Sequence, residues 1–84
     1  MYVEFLGIPR QRAGVDELVV EAQTLGQLLE TLADRLPSLS ELIDGDRLQP
    51  SFVANRNGDE FISDPRTPLD ANDCVLILSA DAGG

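Results

Sequence analysis

The chain as written closes on Gly83-Gly84, so its last functional group is expected to be a carboxylate carried on two residues that have no side chains. A glycine pair can thread a channel too narrow for any Cβ and can adopt positive φ. This makes the Gly84 carboxylate the candidate reactive group and suits it to another protein's active site. The competing reading is a terminus left loose, as most are unless something ties them down. Little else in the chain offers chemistry. There is no histidine, and Cys74 is the only cysteine. That inventory removes intramolecular disulfides, Cys/His zinc sites and Ser-His or Cys-His nucleophile pairs. Cys74 sits in Cys74-Val75-Leu76-Ile77-Leu78 and is expected to serve as a small buried apolar residue without chemistry. Asn57-Gly58-Asp59-Glu60 offers oxygen atoms but lacks the alternating ligands and closing glutamate of a calcium loop. Its composition is that of a turn, and no metal site is expected.

Composition narrows the partners. Fifteen acidic residues against six arginines give a net charge of −9, which phosphate backbones and anionic lipid surfaces repel. Neither nucleic acid nor membrane is an expected partner, whereas an enzyme with a basic face is. There is no lysine, so no side chain offers an amine to which a C-terminus could be joined; only Met1 could accept one. Eighty-four residues with 43% apolar content form one domain, because a chain this short has no apolar residues to spare for a second core. No apolar run approaches the length of a membrane span, and Met1-Tyr2-Val3-Glu4-Phe5 lacks the basic and apolar regions of a signal peptide. A cytoplasmic protein is expected.

The elements that must hold the tail follow from periodicity. Tyr2 to Leu6 sets Val3 and Phe5 against Tyr2, Glu4 and Leu6, a period of two that predicts a strand, with Gly7 and Pro9 ending it. After a polar loop with Arg10, Arg12 and Gly14, the β-branched stretch Leu18 to Ala22 reads as the second arm of an antiparallel hairpin. Thr24 and Gln27 have capping-box spacing and open a helix. Leu25, Leu28, Leu29, Leu32, Ala33 and Leu36 then recur on one helical face, and Pro37 stops it. Leu39, Leu42 and Ile43 suggest one more helical turn before Asp44-Gly45-Asp46. Ser51–Asn55 and Glu60–Ile62 flank an Asn57-Gly58 hairpin turn. Cys74 to Leu78, apolar on both faces, reads as a central strand. Strand, strand, helix, strand, short strand, strand is the β-grasp order. The expected fold is α+β: a mixed sheet of four to five strands with one main helix across one face. The expected division is a folded body over 1–78 and a flexible Gly-Gly tail over 79–84.

Several of these segments, taken in order, resemble the MoaD/ThiS family of ubiquitin-like sulfur-carrier proteins. They are Val3-Glu4-Phe5-Leu6-Gly7, the helix entry Thr24-Leu25-Gly26-Gln27-Leu28-Leu29, Leu36-Pro37, Val53-Ala54-Asn55-Arg56-Asn57-Gly58, Pro68-Leu69-Asp70-Ala71-Asn72-Asp73 and Ala80-Asp81-Ala82-Gly83-Gly84. Asn72 stands where the family usually has glycine, and Asp81 places a charge in a tail that is often apolar. The resemblance implies a protein co-substrate rather than an enzyme, with no bound cofactor. Its partner would be an E1-like adenylyltransferase (MoeB/ThiF-like) that uses ATP to adenylate Gly84. Sulfur from a persulfide donor then replaces AMP to give a thiocarboxylate. Gly83, Ala82, Asp81 and Ala80 would enter the partner, and Tyr2, Leu6, Leu76 and Leu78 are the candidate docking surface. Extended, Ser79 to Gly84 would reach about 20 Å from the body. The resemblance points first to molybdopterin (molybdenum cofactor) synthesis, beside a molybdopterin synthase large subunit. Thiamine thiazole or cysteine synthesis, a ubiquitin-like protein modifier, and a passive interaction domain are the alternatives.

Overall fold

In the computed structural model, which describes residues 1–83, the capping box forms as its spacing requires. Thr24 Oγ1 accepts from the Gln27 N–H at 3.2 Å, and Gln27 Oε1 accepts from the Gln23 N–H at 2.9 Å. The helix they open, Leu25–Arg35, is the second of the chain, α2. Its Leu25, Leu28, Leu29 and Leu32 are buried on one face. Two more free N–H groups of its first turn, those of Leu25 and Gly26, donate to the carbonyls of Thr67 (3.0 Å) and Pro65 (2.9 Å). The helix start is thereby pinned to the 63–73 connection.

Gly26 is what allows that approach. A Cβ there would lie 3.0 Å from Pro65 Cβ and 3.1 Å from the Pro65 carbonyl oxygen. In an open helix Gly→Ala gains about 1 kcal/mol; overpacking against fixed backbone costs about 1 to 3 kcal/mol. Because the obstructing carbonyl is the one Gly26 itself binds, the clash outweighs the gain. Gly26→Ala is expected to lower the urea midpoint, and a variant as stable as the parent would show that the loop yields freely.

The helix lies on a five-stranded sheet in the order β2-β1-β7-β5-β6. These strands are β1 (Tyr2–Phe5), β2 (Glu17–Val19), β5 (Phe52–Arg56), β6 (Glu60–Ile62) and β7 (Cys74–Ser79). β7 is central, parallel to β1 and antiparallel to β5, while the two outer pairs are antiparallel. Side chains alternate across each strand, so Val3, Phe5, Ala54, Ile62, Val75 and Ile77 all fall on the helix side and are buried there. This is the β-grasp arrangement expected. At the β5–β6 turn both central residues, Asn57 (φ 57°) and Gly58 (φ 73°), take the left-handed backbone that an Asn-Gly pair supplies at low cost.

Three local expectations change. The polar loop after β1 is a helix, α1 (Ile8–Ala13), with Pro9 in its first turn and Gly14 (φ 76°) as the left-handed cap whose N–H donates to the Arg10 carbonyl at 3.0 Å. The second strand is shorter and earlier than Leu18–Ala22, with Val20 already turned into the core. After Pro37–Leu39, a 3₁₀ turn, the segment through Ile43 does not continue as helix. Ile43–Asp44 (β3) pairs with Arg47–Leu48 (β4) in a small separate hairpin. Leu42 and Ile43 are buried here, as a helical turn would also require of them, so the apolar spacing alone did not separate the two conformations. Among the described residues no helix is long and apolar enough to cross a membrane.

Candidate functional site: the tail and the outer sheet face

β7 ends at Ser79 and hands the chain to α3 (Ala80–Gly83). The residues expected as an extended tail therefore begin with one helical turn. The Ala80 N–H donates to the Ser51 carbonyl at 2.8 Å, which anchors the start of the turn beside β5. Asp81 is exposed in that first turn, where a carboxylate complements the positive end of the helix dipole. Ala82 and Gly83 complete the turn; Gly84, the expected reactive residue, lies outside the described residues.

The sheet face turned away from α2 carries the expected docking residues and several that were not expected. Across β2 and β1, Val19 is opposite Tyr2 and Glu17 is opposite Glu4. On β7, Cys74 lies beside Tyr2 and Leu76 beside Glu4. On β5 and β6, Asn55 sits between Leu76 and Phe61, and Val53 lies beside Leu78. Tyr2 (53% exposed), Val19 (59%) and Phe61 (58%) are open to solvent, and Leu6 (44%) extends the face past the end of β1. Leu76 and Val53 are half-buried. Leu78 is only 6% exposed and offers little surface, which corrects its expected place in a docking patch. Val19 and Phe61, absent from the sequence-based set, are the larger contributors.

Cys74 also departs from expectation: it is half-buried on this outer face rather than in the core. Its Sγ donates to Glu4 Oε1 at 3.5 Å. Burial, then that hydrogen bond, pushes its thiol up from the usual range, so it is held as the poorly nucleophilic thiol. The connection before β7 is fixed by Asn57, whose Nδ2 donates to Asp73 Oδ1 (2.9 Å) and whose Oδ1 accepts from the Cys74 N–H (2.8 Å). The Asp70 N–H, then the Asn57 amide, hold the Asp73 carboxyl below the usual carboxylate range. Asn72 does not have positive φ, so this position has no need of the glycine usual there.

Between α2, β4, β5 and β6 lies a pocket of about 270 Å³ lined chiefly by Leu25, Leu29, Leu48, Phe52 and Ile62, with Arg47 its one charged residue. No described group of three or more His, Cys, Asp or Glu side chains could hold a metal ion.

The family model described as ThiS matches residues 3–84, which includes both terminal glycines. The chain belongs to the ThiS family. Members of this family are small ubiquitin-like sulfur carriers that act as protein co-substrates rather than enzymes. Solved structures agree on the fold. SAMP1 from Haloferax volcanii is 23% identical with a TM-score of 0.81, over 99% of this chain and 97% of that one. Small archaeal modifier protein 1 from Methanosarcina acetivorans is 26% identical with a TM-score of 0.79, over 99% and 94%. A chain of the Amycolatopsis orientalis BexX/CysO complex is 20% identical with a TM-score of 0.79, over 99% and 98%. No curated protein matches the sequence. For this ThiS-family chain the β-grasp body and the family match to the terminal glycines are therefore established together.

Proposed function

We propose that this ThiS-family chain carries sulfur on the Gly84 carboxylate, with Gly83 and residues 80–82 entering the active site of an E1-like adenylating enzyme. A carboxylate is a poor electrophile. Attack of the Gly84 carboxylate on the α-phosphorus of ATP releases pyrophosphate and gives an acyl-adenylate, in which AMP is a good leaving group. A persulfide then displaces AMP to form an acyl disulfide, and a thiol reductant cleaves the S–S bond to leave the thiocarboxylate. The acceptor in this reading is a precursor of molybdopterin held by a synthase large subunit. The observation that carries the proposal is the family match that runs through Gly84.

Entry into a narrow site requires α3 to unwind. A single turn of four residues gains little from helix propagation, so the extended form costs little. Protein modification is a second reading, favoured by the 26% identity with small archaeal modifier protein 1. Both readings share the adenylate and differ in what next attacks the carbonyl, a sulfur or a lysine amine of a target. The deciding measurement is intact mass after incubation with ATP, a persulfide donor and the host's adenylating enzyme. Replacement of one oxygen by sulfur at Gly84 is the expected result; an unmodified terminus, with that enzyme active on another carrier, would overturn the sulfur reading.

A further inference from the structure

The sheet has two edges, β2 and β6, and the ladder decides which backbone groups face them. The Ala80 N–H donates to the Ser51 carbonyl and the Asn57 N–H to the Cys74 carbonyl. The odd-numbered residues of β5 therefore bond β7, and the even-numbered ones bond β6. Phe61 is opposite Asn55, so its N–H and C=O point away from β5, to the edge. Neither has a backbone partner there among the described residues. At the other edge the Val19 carbonyl is already taken by Arg35, at 3.0 Å. Exposed edges are commonly blunted by lysine or proline, and Asp59-Glu60-Phe61-Ile62-Ser63 contains neither. The apolar pocket between α2, β4, β5 and β6 opens beside this same edge, with Ile62 in its wall.

We propose that β6 takes an added strand: an extended peptide segment of a partner, with one large apolar side chain for the pocket and a basic residue beside Asp59. Residues opposite each other on neighbouring strands project to the same face. The peptide residue opposite Ile62 thus projects to the helix side, over a pocket of about 270 Å³ walled by Leu25, Leu29, Leu48 and Phe52. An apolar cavity of about 150 Å³ already takes benzene, so this one has room for a leucine or phenylalanine side chain. Main-chain bonds to Phe61 supply affinity, and the pocket selects the sequence. Charge sets the direction of the peptide. Asp59 is exposed at one end of the edge, while Arg47 and Arg66 lie with Ser63 at the other, so the basic residue belongs beside Asp59. The net charge of −9 favours a cationic segment and counts against a second copy, which would bring a further −9. β5 stands between β6 and β7, so a strand added here leaves β7 untouched and is independent of what Gly84 carries.

The test is amide exchange in the isotope-labelled full chain, read by NMR, with the peptide acetyl-Thr-Leu-Val-Thr-Arg-amide as probe. Laid antiparallel to β6, this peptide sets its leucine opposite Ile62 and its arginine opposite Asp59. Exchange at the Phe61 amide is expected to slow at least about tenfold at saturation. Replacing the leucine by alanine should weaken binding at least about tenfold, since a buried leucine side chain is lost. Two further peptides carry N-methyl groups on alternate residues, in opposite phases, with charge and side chains unchanged. The phase that removes the donors facing β6 should abolish binding, and the other should bind as the unmethylated peptide does. Equal binding by both phases, or by the alanine peptide, overturns the proposal, because charge alone would then hold the peptide. A peptide that does not bind, or that shifts Tyr2, Val19 and Leu76 instead of Phe61 and Leu48, overturns it as well. A chain that sediments as a dimer with its Phe61 amide already protected overturns it in favour of a second copy.

Discussion

Replacing Leu28 or Leu32 by alanine is expected to lower the unfolding free energy by about 2 to 5 kcal/mol, read from urea or thermal denaturation. Both side chains are 0% exposed, at the centre of the contact between α2 and the sheet. Truncation removes apolar burial and leaves a cavity that the surrounding strands, hydrogen-bonded on both sides at β7, cannot collapse to fill. A domain of this size holds on the order of 5 to 10 kcal/mol in all, so either change removes a large share of it. Glu30→Ala on the exposed side of the same helix should shift stability by no more than about 0.5 kcal/mol. An unchanged midpoint for Leu28→Ala would mean that the helix does not pack as described.

That helix was readable in the sequence because three independent signals coincide. The capping pair, the leucine stripe and Pro37 each mark the same segment, and all three act within about one helical turn of the residues concerned. The central strand was readable because a run apolar on both faces has few other places to go. α1 was not. Six residues are too few to show a helical period, and only Pro9 and Ala13 are buried. Gly7 and Pro9 looked like strand breakers; Pro9 early in a helix and Gly14 just past its end are also the start and stop marks of one. The β3–β4 hairpin was missed for a related reason, since two-residue strands carry no alternation to detect.

The candidate site divides along the same line. Gly83-Gly84 is visible in the sequence because its signal is the lack of side chains. The outer face was visible only in part. Tyr2, Leu6 and Leu76 could be placed from alternation within one strand, but Val19 and Phe61 join them only through the pairing of Tyr2 with Val19 and of Asn55 with Phe61. Pairing register is a relation between strands, and no single segment encodes it. The same applies to the opposition of Glu4 and Glu17, and to the covering of Leu78.

One alanine added after Gly84 should abolish thiocarboxylate formation and leave stability untouched. The added residue moves the carboxylate one position along the chain and places a Cβ next to the reacting carbon, inside a channel that the glycine pair was suited to enter. Misplacement of a reacting atom by as little as 1 Å can cost about a hundredfold in rate, and one added residue displaces it by up to about 3.5 Å. Conversion in the intact-mass assay should therefore fall at least a hundredfold, below detection. The fold should not respond, because among the described residues the buried apolar ones all lie between Met1 and Leu78 and the addition touches none of them. The two readouts together separate the possible explanations. Loss of conversion with an unchanged melt assigns the chemistry to the position of the terminal carboxylate. Loss of both would mean that the tail contributes to the core, and an extended chain that still accepts sulfur would refute the assignment of Gly84 as the carrier.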